Sequence, residues 1–482
     1  MSLPTQTFTL PFSFEATSLA NAQSLTPAKD ALVSTFKGKP LSSLRTPALV
    51  IDRARFATNC ARVTKNAEEW GAVLRAHLKT HKTAEGSRYQ LVNDGGRSDR
   101  VIVSTLMEAW EVMRSGLVAE GVVKDLLYGL PVAGNKIADL AVLRKEMEAH
   151  GGTLRLFVDH SEQIRFLEAF NKAEVAAGRE AKRWSVFVKI NGGQNRAGIP
   201  PDPIPAFREF LSVLFASPAV SLFGFYSHAG NSYFATNLPD CEAILGGEVD
   251  VVQRAARIAL DLLKDQPSLA SSAATGINAN GAGGTGWVLS VGSTPAAHSA
   301  SADFKARVAQ VLLGSLELHA GNYPLLDVQQ LYTTLVGEQN IAQRVLGTVV
   351  SYYPARGPDG LDEAMCDIGA LGVSKDTGKT PGFGEVVGVV GASPERRAEV
   401  KGQWRLGRIS QEHGVLTELP AANDAEREKG KLKIGDVVEV VGQHACLICA
   451  GYPWYYIVDS SERAPEDLEE KVVDVWVPWK GW

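Results

Sequence analysis

Arg75, His77 and Lys79 alternate in the segment RAHLKTHKT at 75–83. On a β-strand alternate residues share a face, so the three basic groups would point the same way. Burying them is costly without partners, and an anionic ligand would supply one. A lysine so placed can carry a lowered pKa, which Schiff-base chemistry needs. On this segment alone, a solvated basic strand end explains the pattern equally well. Far along the chain, GQHACLICAG holds His444 and Cys446 two positions apart. A strand would put both on one face, roughly 7 Å apart along the backbone. Imidazole and thiolate together suit zinc, and two protein ligands leave positions open for a substrate. The bland reading of such a pair is a buried free cysteine beside a hydrogen-bonded histidine. Cys446 and Cys449 also form a C-x-x-C, but there is no second one. A strand would turn these two to opposite faces, so no redox or ribbon motif is read there.

Two further stretches carry polar groups. GSTP at 292–295 follows an apolar run, and Gly292, Ser293 and Thr294 there could hold a phosphate at a helix N-terminus. Ser293 or Thr294 could equally be an ordinary N-cap. YSHAGNSY supplies Tyr226, His228, Ser232 and Tyr233, or simply a polar turn with core tyrosines.

These residues need elements to place them. Between about 70 and 325, short apolar runs alternate with longer amphipathic ones such as Leu106–Gly116 and Ser161–Ala177. The short runs predict eight strands: Ala72–Leu78, Arg100–Ser104, Asp125–Leu130, Leu154–Asp159, Ser185–Ile190, Leu222–Ser227, Trp287–Gly292 and Leu316–His319. Strands alternating with helices imply a parallel sheet. Eight such units suggest a closed (β/α)8 barrel rather than an open doubly wound sheet. Barrel chemistry sits at the C-terminal strand ends. The polar clusters fall there: RAHLKTHKT, KINGGQNRAG, YSHAGNSY, GSTP and HAGNY end strands one, five, six, seven and eight.

After about 330 the runs RVLGTVVSYY, GEVVGVVG, DVVEVVG and WYYIVD, punctuated by turns, predict an antiparallel β domain. The domains are therefore an N-terminal segment 1–45 that adds a strand to the β domain, a barrel 46–328, and a β domain 329–482. The Gly-, Ala- and Ser-rich stretch Gln266–Gly286 reads as a surface loop. A net charge of −5 gives no reason to expect a nucleic-acid or membrane surface. No apolar run is long enough to span a bilayer. The N-terminus lacks a signal-peptide pattern. The five scattered cysteines point to a reducing compartment, the cytoplasm by default.

The chain resembles the alanine-racemase-like (fold type III) pyridoxal-phosphate enzymes. Within them it is similar to the eukaryotic-type D-serine dehydratases and the related D-threonine aldolases. The resemblance covers roughly 44–460 and rests on TPALVIDRARFATNCARV, RAHLKTHKT, the KI..G..RAG stretch, GFYSHAGNSY, VLSVGSTP, CDIGALGVSKD, QEHGVL and QHAC. It implies that Lys79, rather than Lys82, forms the Schiff base with pyridoxal 5'-phosphate. It implies that Gly292, Ser293 and Thr294 hold the phosphate, with Tyr226, Tyr233 and Arg196 near the ring. His444 and Cys446 match the dehydratases' zinc pair; the aldolases typically have Asp at the second position. Zn2+-assisted β-elimination of D-serine to pyruvate and ammonia is the implied reaction, in a homodimer. The alternatives are D-threonine aldolase chemistry and dehydration of 3-hydroxyaspartate. Asn191 stands where relatives often carry Asp, and the Gly-rich insertion departs from the pattern.

Overall fold

A computed structural model describes residues 27–270, 275–276, 286–307, 312–462 and 469–482. All eight anticipated strands are present: β1 Val73–His77, β2 Arg100–Val103, β3 Asp125–Pro131, β4 Thr153–Val158, β5 Trp184–Lys189, β6 Val220–Tyr226, β7 Val288–Val291 and β8 Ser315–Ala320. They close into a parallel barrel in sequence order, β8 pairing with β1. Helices wrap the outside, and their ends follow local chemistry. The Asp52 carboxylate accepts from the N–H groups of Ala54 and Arg55 at the head of Arg53–Trp70, and Gly71 ends that helix in the left-handed region. Thr105 caps Leu106–Arg114 in the same way.

The barrel lumen is layered. Ile102, Leu127, Phe157, Phe187, Tyr226 and Val288 fill its middle. At the floor, Arg75 is fully buried (0 % exposed). Its guanidinium donates to Glu317 at 2.7 and 3.0 Å and to Asp125 at 2.7 Å. Arg100 and Arg155 complete this network on Glu317 and Asp125. The expectation that Arg75 faces an external anion is thus corrected: the barrel's own carboxylates neutralise it. The reason is depth, because Arg75 lies two residues below His77 on the same strand.

The second unit is a nine-stranded sheet. Gln343–Tyr353, Glu363–Cys366, Gly414–Glu418, Trp404–Ile409, Gly384–Val389 and Val437–Gly442 close on themselves as a six-stranded barrel. Ala48–Asp52, Tyr455–Val458 and Asp474–Trp476 extend the sheet beyond Gln343–Tyr353. Two expectations change here. Ala48–Asp52 joins this sheet although the sequence assigned it to the barrel, and it runs parallel to Tyr455–Val458. The described part of the N-terminal segment forms a helix, Lys29–Phe36, not a strand. Its Phe36 ring packs edge-on against Tyr456, 5.0 Å between centroids. Residues 1–26 of that segment, and 271–274 and 277–285 of the Gly-rich stretch, lie outside the described residues. Among the described residues no helix is long and apolar enough to cross a membrane.

Candidate active site

The five polar strand ends meet in one cavity. It is lined by His77 and Lys79 at the end of β1 and just past it, Lys189 and Arg196 at the end of β5 and in its following loop, Tyr226, His228 and Tyr233 at and beyond the end of β6, Ser293 and Thr294 after β7, and His319 and Gly321 at and beyond the end of β8. Lys79 sits two residues beyond the end of β1, in a turn where its own N–H donates to His77 Nδ1 at 3.4 Å.

Histidines dominate the wall. The His319 ring stacks on Tyr226, 4.0 Å between centroids and 12° between planes. Its Nδ1 pairs with the Ser290 hydroxyl at 3.1 Å, while its Nε2 is buried without a partner. His228 Nδ1 donates to the Gly292 carbonyl at 2.7 Å. Burial pushes His228 down to about 3, and the nearby Arg196 and Lys79 push the same way. Burial likewise holds His77 and His319 well below the usual imidazole range. All three rings are neutral at pH 7, so the cationic groups of the wall are lysine and arginine.

The β7 turn is tightly built. Gly292 has φ +137°, and a Cβ there would stand 2.4 Å from the His319 carbonyl oxygen, so only glycine fits. Ser293 caps the short helix Thr294–Ser299 by accepting from Ala296 N–H, and its hydroxyl pairs with Ser232 at 2.8 Å. The N-cap reading of GSTP is therefore correct, and the turn still lines the cavity. The Thr294 hydroxyl accepts from Asn322 N–H at 3.1 Å. Behind the turn, the buried Glu248 carboxyl accepts from Ala229 N–H at 2.6 Å and Gly292 N–H at 3.4 Å.

The β domain brings its own pair to this rim. His444 and Cys446 are not on a strand, as the alternation suggested. His444 is the N-cap of helix Ala445–Gly451 and Cys446 lies in its first turn. The two still touch, because an N-cap and the first turn fold back on each other. His444 Nδ1 pairs with Asp376 at 2.5 Å. Burial pulls His444 down, but the Cys446 thiolate and two carboxylates outweigh it and raise the imidazole to about 9. Burial pushes the Cys446 thiol up, while His444 and Lys79 win and lower it. Asp327, fully buried, accepts from Ala445 N–H at 2.8 Å and anchors the helix start. The Thr80 hydroxyl, next to Lys79, stands 3.1 Å from Cys446 Sγ. Lys79 and the His–Cys pair thus share one site across two domains.

The residues fit the groups that the sequence suggested. A lysine in the cavity wall, a glycine-only turn and, among the described residues, an imidazole nitrogen without a partner suit an aromatic phosphate cofactor. For a metal, Asp376 on Nδ1 leaves His444 Nε2 free to ligate, as metal-bound histidines usually are arranged. Among the described residues no group of three or more metal-ligating side chains exists, so the pair alone would hold the ion from the protein side. Sequence reasoning did not single out Lys189, Glu248, Asp327, Thr80 or Asp376. Asp376 was visible in the quoted segment CDIGALGVSKD, but nothing in its spacing tied it to His444.

A serine dehydratase domain model matches residues 342–458, and the alanine racemase N-terminal domain model matches 51–280. The D-serine dehydratase of Schizosaccharomyces pombe is 36 % identical over 94 % of this chain and 96 % of its own length. That of Saccharomyces cerevisiae is 32 % identical over 94 % and 99 %. The chain belongs to the D-serine dehydratase family. This family and the wider alanine-racemase-like group are pyridoxal-phosphate enzymes. Among solved structures, D-threo-3-hydroxyaspartate dehydratase from Delftia sp. HT23 superposes with a TM-score of 0.70 at 25 % identity, over 92 % of this chain and 100 % of that one. A cysteine-to-alanine variant of D-threo-3-hydroxyaspartate dehydratase has been solved in a metal-free form, with a TM-score of 0.70 at 25 % identity over the same shares of the two chains.

Proposed function

We propose that this chain converts D-serine to pyruvate and ammonia, with pyridoxal phosphate on Lys79 and a zinc ion on His444 and Cys446. One observation carries the reading: the turn bearing Lys79 and the helix bearing Cys446 meet at the Thr80–Cys446 contact of 3.1 Å. The two yeast relatives, both D-serine dehydratases, support the substrate. That a cysteine variant of the related dehydratase is described in a metal-free form is consistent with a metal in this group of enzymes.

Lys79 Nζ would carry the cofactor and, once released, take the Cα proton of the substrate. Pyridoxal phosphate, when bound, spreads the charge left at Cα. Gly292, Ser293 and Thr294 would hold its phosphate. Tyr226 and Tyr233 would flank it, with Arg196 at the rim. Hydroxide leaves poorly, and His444 and Cys446 would hold a Lewis acid against the β-hydroxyl. Asp376 fixes the His444 ring for that purpose. The neutral His77 and His228 supply no competing positive charge beside Lys79. A homodimer is part of this reading, and Phe234, Leu371 and Leu447 expose apolar side chains that an interface could cover. Five free cysteines accord with a cytoplasmic setting.

Pyruvate release from D-serine, with and without a chelator, tests the proposal. Pyruvate that disappears on chelation and returns with zinc is expected. Pyruvate insensitive to thorough metal removal would sink the zinc assignment. Glycine from D-threonine without pyruvate from D-serine would move the enzyme to the aldolases.

A further inference from the structure

Lys189 is the last residue of β5, and its side chain lines the cavity beside Lys79. Only 6 % of it is exposed. Its ammonium lies 4.6 Å from the centre of the Phe157 ring and 4.9 Å from that of Tyr226. Among the described residues no hydrogen bond or ion pair reaches Nζ. Asp159 is the one carboxylate near enough to raise its pKa, and Asp159 is occupied elsewhere. Its Oδ2 accepts from Gly198 N–H and its Oδ1 from Gln163 Nε2, both at 2.9 Å.

Other deeply buried cations of this molecule are treated differently. Arg75 has Glu317 and Asp125; Arg344 has Glu439 and Glu470. Lys189 has two aromatic faces, which replace only part of the lost hydration. Burial draws it down to about 8, helped by Arg196 and Lys79, and it is still mostly protonated at neutral pH. A buried ammonium that faces a ligand cavity without a counter-ion is completed by an anion entering that cavity. The phosphate already has the Gly292–Thr294 turn. Arg196 stands exposed at the rim, where water solvates its charge. Every amino-acid substrate brings one further anion, its α-carboxylate.

We propose that Lys189 is the carboxylate-binding residue, which selects α-amino acids over plain amines by forming an ion pair with the α-carboxylate in the dry part of the cavity. This rests on Lys79 being the cofactor's lysine. It makes Lys189 a specificity determinant rather than a proton carrier, because its partner is a group that does not react.

The test uses the holoenzyme, D-alanine and ethylamine, followed by the change in cofactor absorbance. D-Alanine has no β-hydroxyl to eliminate, and ethylamine is the same amine without the carboxylate. In Lys189→Met, the apparent Kd for D-alanine should rise by ~30-fold or more, as expected when one partner of a desolvated charge pair is removed. The Kd for ethylamine should stay within about twofold, because the lost pair was never made to it. Melting temperature and the affinity of the apoenzyme for pyridoxal phosphate should be unchanged, and Lys189→Arg should recover part of the discrimination. The KM for D-serine should rise more than kcat falls. Equal weakening of both amines would overturn the proposal. So would a loss of cofactor affinity with the discrimination intact, which would give Lys189 to the cofactor instead. A wild-type protein that shows no imine absorbance would fail at Lys79 and sink both readings, a result distinct from either outcome in the variant.

Discussion

Thr80 stands between the two proposed centres, one residue from the lysine and 3.1 Å from the Cys446 sulfur. That contact separates the roles that substitution should resolve. Lys79→Ala should abolish both pyruvate release and the imine absorbance. Cys446→Ala should keep the imine absorbance and lose elimination by ~100-fold or more, since the leaving group then departs without a Lewis acid. Absorbance spectra and turnover on the same two samples distinguish the assignments. Asp376 makes a finer case. It touches no ligand position, but its bond to His444 Nδ1 sets the ring. Asp376→Asn should weaken zinc binding by ~10–100-fold, read by competition with a chromogenic chelator. Unchanged affinity would mean that the carboxylate serves only the fold.

Helices set the geometry on which these residues depend. The long helix Leu238–Asp265 reaches across the barrel's top edge to place Glu248 under two site turns at once. Burial raises this carboxyl from 4.5 to about 8, against the pull of the two backbone N–H groups. The folded value lies above the unfolded one, so the fold favours the neutral acid. Its contribution is complete below about pH 4.5 and is lost as the pH rises through about 8. Wild type should therefore lose more stability than Glu248→Gln between pH 6 and pH 9, in denaturant melts at both values. A parallel loss would show that other groups set the slope. The helix Ala445–Gly451 is held at its far end too. Lys480 Nζ donates to the Ala450 carbonyl at 2.7 Å and to that of Cys449 at 3.2 Å. A cation at a helix C-terminus is favourable, so Lys480→Ala should cost about 1 kcal/mol.

At the scale of the whole molecule, the barrel and the nine-stranded sheet are tied together beside the candidate site. The Tyr455 hydroxyl lies 3.2 Å from the His81 carbonyl and 3.1 Å from that of Cys449, and Trp479 N–H donates to the Lys82 carbonyl at 2.7 Å. The sheet thereby grips both the turn after β1 and the helix with the thiol. The opposite end of the barrel does a different job. There Arg75, Arg100, Asp125, Arg155 and Glu317 form an ion-pair network, and none of them lines the cavity. Glu317→Gln would leave two arginines short of charge and should cost ~3–5 kcal/mol. The imine absorbance at temperatures below the transition should be unaffected. A matching loss of cofactor would show that floor and rim are coupled.

The residues alone determined the repeating units. Eight apolar runs spaced by amphipathic ones favour a closed parallel barrel over an open sheet, and polar clusters at the same end of five strands then face one rim. They also supplied the candidate chemistry, because imidazole, thiol and lysine are groups that no fold can supply from other side chains. What spacing could not decide was depth and partner. Arg75 and Lys79 look alike in RAHLKTHKT, yet one is neutralised by Glu317, more than two hundred residues away, and the other opens on the cavity. His444 and Cys446 read as neighbours on a strand, yet a helix beginning at Ala445 brings them together. Ala48–Asp52 precedes the barrel in the chain but completes the other sheet. Long-range pairings settle each of these cases. They depend on which distant groups meet once the core is packed, and local periodicity carries no record of that.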